Sequence, residues 1–262
     1  MKRTFEKDLK RIDNNIDKMR IRNKDSDHFK VKDNVFDEAT LNALHKLFRK
    51  RYIEALGGPI STGKEANVFL AEGEDKDIAI KIYRISSSTF RVMEDYMLGD
   101  PRFSNIGHSK KDIIFAWTKK EYRNLIRAKE AGIRVPEPII TERNILLMEF
   151  LGDDGKAYPL LKDVSLDIED GQRIYRTVMR YMQILYTKAN LVHGDLSEYN
   201  IMIDPHDLSP IIIDVGQAVT LEHPRADYFL RRDVENLIRY FKRYKIHTSA
   251  EELYTFITNS SK

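Results

Sequence analysis

Apolar positions in this chain change period several times, and each change marks an element. Leu41, Leu44, Phe48 and Tyr52 recur every three or four residues, the period of a helix with one buried face. Asp37 stands where an N-cap belongs, and Gly57-Gly58-Pro59 where a helix stops. Residues 67–71 and 78–83 have strand character, with Glu72-Gly73-Glu74-Asp75 between them as a turn, so a β-hairpin is predicted. Residues 84–115 show no sustained period and hold Ser86-Ser87-Ser88-Thr89 and Gly99-Asp100-Pro101. They predict a long loop, of the kind that is functional or mobile. Tyr122, Leu125 and Ile126 then share a helix face that stops at Gly132, and residues 145–150 read as a buried strand. Further on, Ile174, Val178, Met182 and Leu185 form one helical stripe, and Leu230, Val234, Leu237, Ile238 and Phe241 form another. Between them lie two short apolar runs, Ile201-Met202-Ile203 and Ile211-Ile212-Ile213. Ahead of all this, Ile12, Ile16 and Met19 sit at helical spacing. Their segment, residues 1–34, carries 11 Lys and Arg against 7 Asp and Glu, and suits a short surface helix or a solvated arm equally.

The pattern is α+β in two lobes. A helical extension is expected over 1–56, a β-rich lobe with a flexible loop at 84–115 over 57–150, and a helical lobe over 151–262, with a connector near residues 150–154. Composition narrows this further. The chain has 262 residues, 42% of them hydrophobic and 32% charged, which describes a folded protein with a charged surface rather than a disordered one. The net charge is only +3, so the chain as a whole is not built as a polyanion binder. No apolar run reaches the ~18 residues of a membrane span, and the charged start lacks the apolar stretch of a secretory signal. With no cysteine, disulfides, thiolate metal sites and cysteine nucleophiles are all excluded. The cytoplasm is the expected compartment.

The candidate chemistry lies in four segments. In His193-Gly194-Asp195-Leu196-Ser197-Glu198-Tyr199-Asn200, an Asp and an Asn five apart precede a short apolar strand. That arrangement suits a phosphoryl-transfer loop, with Asp195 orienting a hydroxyl and taking its proton and Asn200 holding Mg²⁺. A plain capped turn would carry the same loose pattern. In Ile212-Ile213-Asp214-Val215-Gly216, a carboxylate ends a buried apolar strand, a costly placement without a cation. Asp214 and Asn200 together offer the oxygen ligands that Mg²⁺ prefers. Lys81 lies inside the strand Ala79-Ile80-Lys81-Ile82 and resembles the lysine with which protein kinases grip the α- and β-phosphates. Its carboxylate partner is expected to be Glu121, opening the helix after the loop. Gly58-Pro59-Ile60-Ser61-Thr62-Gly63-Lys64 satisfies G-x-x-x-x-G-K, but Glu65 follows where a P-loop needs Ser or Thr, and a strand follows where it needs a helix. Backbone N–H groups around Gly63 are better read as a phosphate cover ahead of a strand. In Leu147-Met148-Glu149-Phe150-Leu151-Gly152 the chain resembles a kinase hinge. Glu149 and Leu151 would offer backbone groups to adenine, with Met148 behind the base.

Taken together, Ser-Thr-Gly-Lys-Glu-Ala-Asn-Val at 61–68, His-Gly-Asp-Leu-Ser-Glu-Tyr-Asn at 193–200 and Ile-Ile-Asp-Val-Gly-Gln at 212–217 resemble the RIO atypical protein kinases, and within them the compact archaeal type of the Rio-one subfamily. The resemblance covers roughly residues 35–250. It implies a two-lobed protein-kinase-like fold with an N-terminal helical extension and a reduced helical C-lobe. It also implies ATP with Mg²⁺ (or Mn²⁺) as cofactors, serine autophosphorylation, and a part in maturing the small ribosomal subunit, with the precursor particle and its rRNA or proteins as partners. Carried over by residue, Asp195 is catalytic, Asn200 and Asp214 are metal ligands, and Asp214 is also the candidate phosphoaspartate of an ATPase cycle. Lys64, Val68, Lys81, Glu121, Met148, Glu149, Leu151, Ser197 and Glu198 line the nucleotide. The candidates for self-modification are Ser86, Ser87, Ser88, Ser104 and Ser109. Only 48 residues follow Asp214 and none spell A-P-E, so recognition of a peptide substrate departs from ordinary kinases.

Two other classes share parts of the pattern. Small-molecule kinases of the aminoglycoside-phosphotransferase type use the same loop but a larger helical lobe. An RNA-binding adaptor with a degenerate pocket would not need Lys81, Asp195, Asn200 and Asp214 all intact. RNA contact is compatible with catalysis, since residues 223–247 carry seven Lys and Arg against three acidic groups with Tyr228, Tyr240 and Tyr244 interleaved. A solvated helix face has the same composition.

Overall fold

The structure is a computed structural model describing residues 36–85, 90–103, 106–107 and 109–259. The expected surface helix around Ile12, Ile16 and Met19 lies outside the described residues, as do Ser86, Ser87, Ser88 and Ser104. The chain forms two compact units. One gathers the described residues up to Arg91 with Gly107–Lys119 and Pro138–Ala157; the other holds Val92–Ile106, Lys120–Glu137 and the described residues from Tyr158 onward.

The first unit is built on helix α1 (Glu38–Arg49) and a five-stranded antiparallel sheet. Asp37 caps α1 as expected, its carboxylate accepting from the Thr40 N–H at 2.8 Å. The helix does not run on to Gly57-Gly58-Pro59. It stops at Lys50, where Arg51 turns left-handed at φ 61°. Tyr52 is therefore outside the helix, and Gly57, Gly58 and Pro59 lie within a strand that the pattern did not show, β1 (Ala55–Thr62). Gly57 is there for approach: a Cβ on it would come within 2.9 Å of the Leu70 carbonyl oxygen. The register of β1 shifts on both sides of Pro59, as expected where a ladder donor is missing. The predicted hairpin is present as β2 (Ala66–Glu72) and β3 (Asp77–Tyr83), and β4 (Pro138–Glu142) and β5 (Ile145–Glu149) complete the order β1-β2-β3-β5-β4.

Alternation along β3 gives the sheet two faces. Ile78, Ile80 and Ile82 join Phe69, Ala71, Ile145 and Leu147 in a core closed by Ala43, Leu44 and Leu47 of α1. Ala79 and Lys81 belong to the opposite face. The antiparallel register places Val68 and Leu146 beside Lys81, and Met148 beside Ala79. Asn144, in the tight turn between β4 and β5, ties α1 to the sheet: its buried amide donates to Thr40 Oγ1 at 2.9 Å and to the Tyr83 carbonyl at 2.8 Å. Beyond β5 a small hairpin, β6 (Gly152–Asp153) with β7 (Lys156–Ala157), turns at Asp154 and Gly155, both left-handed.

The stretch 84–115 is not one loop. It contains helix α2 (Phe90–Met97), a 3-10 turn at Pro101–Phe103, and the start of the 21-residue helix α3 (Lys110–Glu130). Short helices separated by Gly99 and Pro101 break the period before it becomes legible. Glu121 accordingly sits mid-way along α3 rather than at its opening. At the far end Gly132 takes φ 92° and its N–H reaches the Lys129 carbonyl, so the predicted stop is a glycine C-cap.

In the second unit, α4 (Ile168–Thr187) buries Ile174, Val178, Met182 and Leu185, and α5 (Ala226–Phe241) buries Leu230, Val234, Leu237 and Phe241. These are the two predicted stripes, apart from Ile238, which is half-buried. A third helix, α6 (Ala250–Thr258), begins with a capping box between Ser249 and Glu252. Two strand pairs complete the unit. They are β8 (Leu191–Val192) with β11 (Val219–Thr220), and β9 (Ile201–Ile203) with β10 (Pro210–Ile212). No helix among the described residues is long and apolar enough to cross a membrane.

Candidate functional site

The expected site residues divide between the two units. In the first, Lys64 is in the turn between β1 and β2, where the Gly63 N–H closes onto the Ala66 carbonyl at 2.9 Å. Val68 and Lys81 share the sheet face away from the α1 core. Lys81 is buried, its ammonium 5.2 Å from the Tyr83 ring centre. Met148 and Glu149 end β5, and Leu151 follows beside the small hairpin. Glu121 belongs to the second unit and is buried at 1% exposure.

In the second unit the strand pairs assemble the remaining groups. Residues 193–200 span from β8 to β9, and Asp214 follows β10. The Ile213 N–H donates to the Asn200 carbonyl at 3.0 Å, so pairing of β9 with β10 brings Asn200 and Asp214 to one end of that hairpin. Asn200 Nδ2 donates to the Asp195 carbonyl at 2.8 Å and to Asp195 Oδ2 at 3.2 Å. With its NH₂ end committed to Asp195, the side chain offers a cation its oxygen end. Burial pushes the Asp195 carboxyl above its ordinary range and the Asp214 charge adds to this, against Arg232 and Asn200. A half-desolvated carboxylate beside a like charge is a better proton acceptor than a free one. Ser197 accepts the Tyr199 N–H, and the Glu198 carbonyl accepts the Lys162 N–H at 3.3 Å. One carboxylate oxygen of Glu198 is buried without a hydrogen bond. Ser109, the self-modification candidate that is described, bonds Asp112 at 2.6 Å where α3 begins.

The loop is held from beneath by groups that periodicity did not single out. Asp233 on α5 is fully buried and accepts from the Gly194 and Leu196 N–H groups, both at 2.8 Å. Burial pushes its carboxyl up to about 7. Arg232 donates to the Gly194 carbonyl and, at 3.0 Å, to Tyr96 Oη, and Asn236 donates to the Leu196 carbonyl at 3.2 Å. His193 accepts the Asp195 N–H on Nδ1 at 3.3 Å, which assigns its proton to Nε2 and makes that nitrogen donate to the Ile213 carbonyl at 3.2 Å. Burial holds its pKa down to about 4, so the ring is neutral. The 3-10 turn after Asp214, Val215–Gln217, is gripped in the same way by Lys120 and Asn124 of α3. In sequence Lys120, Asn124, Arg232, Asp233 and Asn236 look like ordinary charged or amide positions of a helix. The available signal was spacing: 120 with 124, and 233 with 236, each share a helix face.

The basic stretch after residue 223 does not present one free cationic face. Arg231 bonds Asp227 and Glu251, Arg232 is turned into the loop, and Arg225 and Arg243 lie over Phe229 and Tyr240 respectively.

A family model describing the RIO domain matches residues 67–253. A RIO-type serine/threonine-protein kinase Rio1 of Haloferax volcanii is 50% identical over 95% of this chain and 84% of its own length. A Rio1 of Methanocaldococcus jannaschii is 38% identical over 87% and 77%. The human serine/threonine-protein kinase RIO1 is 38% identical over 92% of this chain, which spans only 44% of that longer protein. Among solved structures, the Rio2 kinase of Chaetomium thermophilum aligns at TM-score 0.64 and 28% identity, over 85% of this chain and 69% of that one. Its ADP/Mg²⁺-phosphoaspartate complex aligns at TM-score 0.65 and 24% identity, over 87% and 68%. The chain thus has the protein-kinase-like fold and belongs to the RIO family of atypical serine/threonine-protein kinases, on its Rio1 branch.

Proposed function

We propose that the chain transfers the γ-phosphoryl group of ATP to serine, its own included, with Asp195, Asn200 and Asp214 as the reacting centre. The observation that carries this is the hydrogen-bonded placement of those three groups by the loop 193–200 and the β9–β10 pair. Asp195 orients the attacking hydroxyl and takes its proton. The Asn200 oxygen and the Asp214 carboxylate are hard oxygen donors of the kind Mg²⁺ takes, alongside phosphate oxygens. Bound there, Mg²⁺ would neutralise charge on the phosphates. Lys81 contacts the α- and β-phosphates. Val68, Met148, Glu149 and Leu151 receive the base, and Lys64, Ser197 and Glu198 line the phosphates.

A second outcome uses the same groups. A carboxylate oxygen of Asp214 attacks the γ-phosphorus, the bond to the β-phosphate bridging oxygen breaks, and ADP leaves. Water then hydrolyses the acyl phosphate, completing an ATPase cycle. The physiological setting we infer is maturation of the small ribosomal subunit in the cytoplasm, on the strength of family membership.

The test is incubation with γ-labelled MgATP of wild type, Asp195→Ala and Asp214→Ala, following phosphoserine, acyl phosphate and free phosphate separately. Label or release that requires both aspartates supports the reading. Turnover that survives either substitution at the wild-type rate overturns it.

A further inference from the structure

Asp214 adopts a conformation that an L-residue avoids, with φ 57° and ψ 58°. Left-handed backbone is uncommon outside glycine, although Asp and Asn adopt it more readily than other residues, and it persists where its surroundings over-determine it. On the N-terminal side, Ile213 is fixed by its N–H to Asn200 and its carbonyl to His193. On the C-terminal side the turn is fixed by side chains of α3. Lys120 Nζ donates to the Gly216 carbonyl at 2.7 Å and the Ala218 carbonyl at 2.5 Å. Asn124 Nδ2 donates to the Val215 carbonyl at 2.9 Å and the Ala218 carbonyl at 3.0 Å. The orientation of the Asn124 amide is itself set, because its oxygen accepts from Arg102 Nη1 at 2.9 Å. Arg102 is locked in turn by both carboxylate oxygens of Asp100, the shortest bond being 2.7 Å.

We propose that Lys120 and Asn124 are positioning residues for metal binding: through these four hydrogen bonds they hold the 215–218 turn so that Asp214 presents its carboxylate beside Asn200. The proposal rests on the reading of Asp214 and Asn200 as metal ligands. Lys120 and Asn124 are both fully buried. An aliphatic side chain would fill the Lys120 site without the cost of desolvating an ammonium. A fully buried lysine whose ammonium donates to two loop carbonyls makes little sense as core packing and much as a device that fixes the loop. Glu121 is the next residue, so α3 delivers a predicted lysine partner and this clamp from adjacent positions.

The test compares wild type with Lys120→Met, Asn124→Leu and Asn144→Leu. The last is a stability control in the other unit. The probe is Mn²⁺ in the presence of ADP, read by the electron paramagnetic resonance of free Mn²⁺, alongside ADP affinity in EDTA. The expected result is a Mn²⁺ dissociation constant raised tenfold or more in Lys120→Met and Asn124→Leu. ADP affinity in EDTA should stay within threefold, and Asn144→Leu should bind Mn²⁺ as wild type does. Mn²⁺ affinity within threefold of wild type in both clamp variants overturns the proposal, as does an equal loss in Asn144→Leu, which would reduce the effect to stability. Should the clamp variants fail to fold, Arg102→Lys removes the support of Asn124 from the edge of the cluster. A three- to fivefold weakening is then expected, and no change refutes the relay. Wild type that binds no Mn²⁺ with ADP refutes the metal-site reading itself, a result distinct from a failure of the clamp.

Discussion

His193 should make the catalytic loop sensitive to acid, and the effect is concealed unless one looks for it by difference. The folded ring is neutral because Nδ1 accepts the Asp195 N–H and burial holds its pKa down to about 4. The unfolded chain takes up that proton near pH 6.5. Unfolding therefore binds a proton between those values, and stability is fully present above 6.5 and lost as the pH falls. For these two pKa values the loss between pH 7 and pH 5 is about 2 kcal/mol. Asp233 works in the opposite sense. Its folded carboxyl is pushed up to about 7 from an ordinary value near 3.8, so the folded state binds the extra proton and gains about 2 kcal/mol over the same interval. The two nearly cancel, and the wild type should show little net change from this pair. Replacing His193 with Asn removes one arm. Urea denaturation of wild type and His193→Asn at pH 7 and pH 5 isolates it, because static losses in the variant cancel in the double difference. The variant should gain about 2 kcal/mol relative to wild type on going to pH 5. A double difference below about 0.5 kcal/mol, or a His193 ring titrating near 6.5 by NMR, would refute the burial argument.

Three further outcomes follow from single contacts. Asn144→Leu strands the Thr40 hydroxyl and the Tyr83 carbonyl that its amide satisfies, and should cost about 2–3 kcal/mol in chemical denaturation; a loss within error of zero would mean that α1 is held by its apolar face alone. Gly171→Ala drives a Cβ into the Tyr244 ring and should destabilise by about 1–3 kcal/mol, read as a lowered melting temperature. Gly194 sits at φ 79° with the Gln217 carbonyl oxygen 3.1 Å from a built Cβ, so Gly194→Ala should cost about 1–2 kcal/mol. It should also cut phosphoryl transfer by more than that stability loss explains, since Asp195 is the next residue; proportionate losses would show that the strain does not reach Asp195.

The sequence by itself determined the elements whose burial repeats at a fixed period. The stripes on α4 and α5, the β2–β3 hairpin and the Asp37 cap were legible because one-sided burial writes the helix or strand period into the residues. The motifs at 61–68, 193–200 and 212–217 also pointed to the RIO family, and the family model and the curated relatives bear out that membership. What the sequence did not determine was structure that depends on partners distant in the chain. β1 was hidden because Gly57-Gly58-Pro59 signals a stop locally, and only Leu70 on the neighbouring strand shows why glycine is needed there. α2 was hidden because it is too short for a period to emerge. Lys120, Asn124 and Asp233 read as solvent-facing charges and amides on amphipathic helices until folding buried them against the carbonyls and N–H groups of loops 37 to 98 residues away. A buried polar group is identified by the partner that satisfies it, and only the tertiary structure supplies that partner.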